Sequence, residues 1–542
     1  MMREQNAYYT LRSLPGVLIL SLLFLLPMAV VFSYAFSNGG NALMEAVEDG
    51  YTYRLLSFTL TESFLSAFIS VIVALPFAYL FSKYSFPGRS AILTLSALSF
   101  TIPTILVVLG FVIWYGNNGI LNSLLMNLTG KNYAVIEVLY SFKAIILSHV
   151  YLNFPIAFLL ITEAWTASSD TAEKASYTLG KGRMRTFISV TLPMIRGSII
   201  SAFILIFLFC FSSFAIIMVL GGNPQYSTLE TEIYRRARVS GNIPEAAALS
   251  LLAFFITGAI LLISSYGRTK KKTERKSRVL LKAKGRNLLV MCLASLLILL
   301  FLIPPILSIV YRAFYTKAGT FTLRAWEEIT GRGFGLISTA MEGIIASFLI
   351  AFLSSLAAVL LSASMALLSA RKNSVILPFL ASLPMAAGSV TLGLGFSLLA
   401  AYIPHTSPIV SYALVFFAHL IIVLPFSIRT MTPGARTIAP SLSLSAYTLG
   451  ASMTKTLRKV EMPLLRPYMR KAFAFSFALS LGEVNATLTL SDGHITTLPI
   501  LIYRLISSYD YQGAAALGTI LLLEALIVFA IGEKGGGRNA VS

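Results

Sequence analysis

Charge is scarce in this 542-residue chain, and acid is scarcer still: 12% of residues are charged, with 22 Asp and Glu against 42 Lys and Arg. A water-soluble protein of this length needs far more polar residues to cover its surface, and 56% of the chain is hydrophobic. Cysteine is nearly missing. Cys210 and Cys292 fall in separate apolar runs, which gives no disulfide framework and predicts no cysteine metal site. No G-x-x-x-x-G-K-[ST] loop is present to cradle phosphates, and Gly180-Lys181-Gly182 has neither the spacing nor the following hydroxyl. Nucleotide hydrolysis by this chain is therefore not expected, and it is expected to hold no cofactor. A metal-spaced His/Asp/Glu cluster and a nucleophile with its base are both missing, which argues against a membrane enzyme. A repeated filter-like glycine run is missing too, which argues against a channel.

What is present is apolar sequence in long runs. Twelve recur near the ~20 residues that a helix needs to cross ~30 Å of hydrocarbon. They centre on residues 15–36, 58–82, 91–115, 138–162, 197–220, 246–266, 288–314, 343–369, 375–402, 410–428, 472–490 and 513–532. Pro76, Pro103, Pro155, Pro304, Pro384 and Pro425 lie inside them, as a packed membrane bundle tolerates. The first run is too long for a signal-peptide core and has a counterpart at the start of the second half, so it is expected to stay as a helix. The fold class expected is an all-α integral membrane protein of about twelve transmembrane helices.

The net charge of +20 follows topology and points away from a nucleic-acid partner. With the N-terminus inside, alternate loops hold Lys83 and Arg89; Lys181, Arg183 and Arg185; Arg371 and Lys372; and Lys455, Arg458, Lys459, Arg466, Arg470 and Lys471. The loops between them are acidic or mixed, as at Glu45, Glu48 and Asp49, or Glu327 and Glu328. The positive-inside rule then places both termini in the cytoplasm. Residues 267–287 carry ten Lys and Arg against the single Glu274, as expected of a cytoplasmic linker lying on anionic lipid headgroups.

The chain also repeats itself. Tyr177-Thr178-Leu179-Gly180 recurs 270 residues later as Tyr447-Thr448-Leu449-Gly450, and each glycine precedes a proline by thirteen residues, Pro193 and Pro463. His149 and His419, Pro155 and Pro425, and Arg196 and Arg466 keep the same offset. The repeat unit is half the chain. This predicts a first half at 1–266, the basic linker at 267–287 and a second half at 288–542, with six helices in each half. The repeated loops, about 168–196 and 438–466, combine small residues on a short helix, a turning glycine, a basic amphipathic stretch and a helix-starting proline. Such a compact element is suited to being gripped, and two equivalent copies suit a two-fold partner.

At these residues the chain resembles the integral-membrane permeases of ATP-binding-cassette importers. Their cytoplasmic "EAA" loop reads E-A-A-x-x-x-G, then about a dozen residues, then proline. Lys174 and Leu444 stand where the glutamate is expected, with Glu173 one position early. The resemblance covers the whole chain and implies a fused pair of type I permease halves in a bacterial inner membrane. It implies that Ala175, Ser176, Gly180 and Pro193, with Ser445, Ala446, Gly450 and Pro463, couple the bundle to an ATPase dimer that uses the ATP. It also implies an extracytoplasmic binding protein that delivers the solute. Phe211-Ser212-Ser213-Phe214-Ala215 and Leu220-Gly221-Gly222-Asn223-Pro224 resemble the first half of the permeases for thiamine and its phosphates. Leu481-Gly482-Glu483-Val484-Asn485-Ala486-Thr487 is similar to a stretch shared by iron, thiamine and molybdate permeases.

Glu483 is the sharpest single residue, because a carboxylate in the eleventh run is expensive in lipid and should face a cavity or a partner. Its counterpart at the 270 offset is Ser213. Ser212 and Asn485 are candidates for the same path, whereas His149 and His419 are expected to bond a neighbouring helix beside each proline kink. A twelve-helix secondary transporter is the main alternative, but Glu483 stands nearly alone where ion coupling would need several intramembrane charges. Residues 221–245 and 491–511 are the expected receptor-facing loops.

Overall fold

The computed structural model describes residues 2–168, 170–222, 225–266, 279–331, 334, 339–372, 379–403, 407–491 and 495–534. Residues 267–278, which hold seven of the basic linker's ten Lys and Arg, thus lie outside the described residues. The first half runs through α1 (Met2–Ala35), α2 (Gly50–Lys83), α3 (Arg89–Thr101), α4 (Thr104–Tyr115), α5 (Phe142–Thr166), α6 (Asp170–Thr178), α7 (Leu192–Phe211), α8 (Ala215–Leu220), α9 (Leu229–Tyr234) and α10 (Ile243–Tyr266). The second runs through α11 (Arg286–Phe314), α12 (Ala340–Lys372), α13 (Ser389–Ala400), α14 (Pro408–Thr437), α15 (Pro440–Thr448), α16 (Met462–Leu481), α17 (Asn485–Leu490), α18 (Leu498–Ser507) and α19 (Tyr511–Lys534). The protein is an all-α membrane bundle in which the two halves repeat each other helix for helix, from α5 and α14 through to α10 and α19.

Among the described residues, ten helices are long and apolar enough to cross a membrane, against the twelve runs read from hydropathy. Run 91–115 is split into α3 and α4, because Ile102 before Pro103 is extended, at φ −71° and ψ 125°. Run 375–402 is interrupted at Gly388, which adopts φ +69°; its residues 373–378 lie outside the described set. Runs 197–220 and 472–490 each break at three residues, 212–214 and 482–484. α16 begins with Arg466, Arg470 and Lys471 in its first half and falls short on hydropathy. Period and length find the runs, but breaks made by one proline or one glycine do not alter mean hydropathy.

The halves are interlocked. α1, first in sequence, packs against α12 and α13 of the second half, and α11 packs in return against α4 of the first. Close approach is possible because of two glycines. A Cβ at Gly110 would lie 2.5 Å from the Pro305 carbonyl oxygen, and one at Gly395 would lie 2.9 Å from the Pro27 carbonyl oxygen. A short parallel pairing of Tyr84–Ser85 with Leu281–Lys282 fastens the end of the inter-half linker beside the end of α2.

Candidate functional site: an inter-half cavity and two matched loops

Each repeated loop is built in the same way. In α6 the chain ends with the Gly180 N–H on the Tyr177 carbonyl at 3.0 Å and the Lys181 N–H on the Ser176 carbonyl at 3.1 Å. In α15 the Gly450 N–H meets the Tyr447 carbonyl at 2.9 Å and the Ala451 N–H meets the Ala446 carbonyl at 3.0 Å. This double bond is the Schellman termination, and it requires the left-handed backbone that Gly180 and Gly450 adopt at φ +78° and +80°. A short helix, a π-helical turn (Phe187–Thr191 or Leu457–Glu461) and a proline in the first turn of α7 or α16 follow in both copies.

The loops thus place Ala175, Ser176, Gly180 and Pro193 in one element, and Ser445, Ala446, Gly450 and Pro463 in its copy. Ser176 is buried against Thr186, 3.0 Å between hydroxyls, while Leu179 and Leu449 project at 80% and 87% exposure. An apolar tip of this kind is ready for a partner's groove. Glu173, one position early for the motif, accepts from Thr191 at 2.8 Å and so ties the short helix to the π turn. Burial pushes the Tyr447 phenol up from its ordinary value.

Between the halves lies a cavity of about 230 Å³. The helix breaks supply its polar wall: Ser212 and Ser213 from the first half, Glu483 and Asn485 from the second. All four path residues read from sequence are therefore brought together. Glu483 accepts the Ala486 N–H at 3.0 Å and so caps α17 while facing the cavity. Asn485 donates to the Ser389 hydroxyl at 3.2 Å. Phe209 and Phe426, one from each half, stack at 6.0 Å along the same cavity. Neither Lys nor Arg is among its described lining residues.

The histidines take the places expected beside the prolines but keep different company. His149 contacts Glu62 of α2 through Nδ1 and Ser213 through Nε2, the latter at 2.8 Å. His419 meets Ser480 and Thr487, both at 2.8 Å. Glu62 is fully buried and also accepts from Ser66 at 2.8 Å. Glu483 is thus not nearly alone. An acid inside the run 58–82 was visible in sequence, but nothing there tied it to His149, 87 residues away. The structure also sets Cys210 beside this pair, with candidate ligand atoms of Glu62, His149 and Cys210 all within 4.8 Å of one another. Hydrogen bonds already engage all three side chains, Cys210 accepting from Asn153 at 3.5 Å.

The expected receptor-facing stretch 221–245 departs from expectation: Leu229–Ile233 of α9 are all buried, and exposure returns only near Val239. Within it, Arg235 and Arg236 donate to Glu232 and hold its carboxyl below the usual range, outweighing a burial that alone would raise it. Residues 223–224 and 492–494 lie outside the described set.

Two interlocked helical halves, a polar cavity at their interface and one matched exposed loop per half define a fused importer permease. Residues 70–275 match the family model described as the binding-protein-dependent transport system inner membrane component. It is 29% identical over 541 residues to the thiamine transport system permease protein ThiP of Brucella abortus, covering 96% of this chain and 94% of that one. The Escherichia coli protein of the same name is 27% identical, with 97% of each chain covered. The ferric transport system permease protein FbpB of Actinobacillus pleuropneumoniae is 25% identical over 97% of this chain and 78% of that one. The chain is accordingly the multi-pass inner-membrane subunit of an ABC importer and not an enzyme.

Proposed function

We propose that the chain carries thiamine or its phosphates through the cavity between its halves. The observation that supports this most directly is the cavity wall: a Glu483 carboxylate and stacked aromatic rings with no described lysine or arginine, a setting that favours an organic cation. The names of the full-length relatives agree with it.

In this reading the halves are residues 1–266 and 288–542, joined by a basic linker on cytoplasmic lipid headgroups, with both termini cytoplasmic. The loops at about 168–196 and 438–466 each seat in one subunit of an ATPase dimer, with Leu179 and Leu449 in its grooves. Ala175, Ser176, Gly180 and Pro193 and their copies Ser445, Ala446, Gly450 and Pro463 shape those handles. An extracytoplasmic binding protein delivers the solute, ATP is used by the partner, and Ser212, Ser213, Glu483 and Asn485 line the path. ATP-driven closure of the dimer moves the handles together and opens the cavity outward; hydrolysis resets it.

The test is uptake into proteoliposomes that hold the permease, its ATPase and its binding protein. ATP-dependent accumulation of labelled thiamine is expected. Accumulation of ferric ion without thiamine would assign the chain to the chemistry named for the ferric relative, and uptake without any ATPase would end the importer reading.

A further inference from the structure

A second carboxylate stands behind the cavity wall, and it comes from the other half. Glu230 lies on α9 and is 1% exposed. Its neighbours are fixed: Leu229 donates its N–H to the Thr59 hydroxyl of α2 at 3.1 Å, and Thr228 and Thr231 close a capping box. The side chain crosses to the second half and accepts the Val390 N–H in the first turn of α13.

Oε1 packs on Gly388, where an added Cβ would collide with it. Gly388 lines the cavity, so only a residue without a side chain separates this carboxylate from the solute path. The other oxygen, Oε2, is buried without a hydrogen-bond partner. Glu483 lines the same cavity, and each of the two carboxylates accepts an N–H in the first turn of a helix, Glu230 from Val390 of α13 and Glu483 from Ala486 of α17. Two acids from opposite halves therefore converge on a cavity with no described basic lining. Buried acids in a membrane protein persist where a cation or a partner group uses them.

We propose that Glu230 is a second solute-recognition residue, forming with Glu483 a two-carboxylate cleft for a small organic cation. The stacked Phe209 and Phe426 complete the cleft, since a diffuse organic cation gains from ring faces. The proposal rests on the reading of the cavity as the solute path, and it separates from it experimentally.

The experiment uses the complete importer in proteoliposomes and, in parallel, thiamine binding to the purified permease. Glu230→Gln keeps an acceptor for the Val390 N–H and removes the charge, so a role confined to packing survives it. Binding is expected to weaken by at least about tenfold and uptake to fall with it. Glu230→Asp, which keeps the charge on a shorter arm, is expected to lie between Gln and wild type, and it serves as the readout if the Gln variant does not insert. Wild-type affinity and uptake in the Gln variant, or in the Asp variant where it is the readout, overturn the proposal. A wild-type complex that neither binds nor moves thiamine overturns the pathway reading instead.

Discussion

Ser443 donates its hydroxyl to the Glu461 carboxylate across 2.7 Å, at the two positions where, 270 residues earlier, Thr191 donates to Glu173 across 2.8 Å. Donor and acceptor have exchanged places between the halves while the tie between short helix and π turn is kept. The exchange has consequences, because Glu461 has drawn in other helices. It accepts from Tyr9 of α1 at 2.6 Å and from Arg371 of α12 at 2.7 Å, and it is fully buried. The second loop is thereby anchored to a helix that begins the opposite half.

Glu461→Ala should destabilise the permease by about 3–5 kcal/mol, because Arg371 and Tyr9 lose their shared anion in a nearly dry site. Glu173→Ala removes the hydrogen bond to Thr191 at a half-buried position and should cost less, about 1 kcal/mol. Unfolding midpoints in detergent compare the two directly. Equal losses would mean that the anchor to α1 and α12 contributes nothing.

Gly180 and Gly450 test the handles. Both hold positive φ, and nothing lies within 4 Å of a Cβ added at either. Valine there meets only the backbone penalty of about 1–2 kcal/mol, so Gly180→Val and Gly450→Val should insert and fold. Their added bulk stands beside the exposed Leu179 and Leu449 and should keep the loop from seating on the ATPase. Solute moved per ATP hydrolysed is the measurement, and a marked fall is expected in both. Wild-type stoichiometry in both variants would remove the coupling role.

The duplication, the paired loops and the four polar residues of the cavity wall were legible because repetition and rare polar residues stand out against an apolar background. Gly180 and Gly450 declared a turn by themselves. Legibility ended where function depends on contacts between distant segments. Glu62 reads as one acid in a span until α2 brings it to His149, and Glu230 reads as part of an external loop until α9 folds inward to Gly388. The interlocking of α1 with the second half was hidden for the same reason, since no local pattern records which bundle a helix joins.

The interlock gives a packing test. Gly110→Ala and Gly395→Ala push a methyl against backbone of Pro305 and Pro27, which cannot turn aside as a side chain can. Each should cost about 1–3 kcal/mol through overpacking. Gly197→Ala on α7 and Gly258→Ala on α10 meet nothing within 4 Å and should be neutral or stabilising by up to about 1 kcal/mol, since alanine is the better helix former. Thermal midpoints of the four variants should split into these two groups. A uniform response would show that the glycines are not what lets the halves approach.

Glu232 provides a pH test with a defined sign. It is 1% exposed and held below the ordinary carboxylate range by Arg235 and Arg236. A carboxyl with a lowered folded pKa stabilises fully above its unfolded value of about 4.3, and the contribution disappears as pH falls through the folded value. Glu232→Gln lacks that contribution at every pH. Its unfolding midpoint should therefore lie below wild type at pH 7, and the gap should close progressively once the pH drops below about 4. Other acids titrate in both proteins and cancel in the difference. A gap that stays constant from neutral to acid would mean that the loss comes from packing, and that the Arg235 and Arg236 contacts do not hold this buried turn through charge.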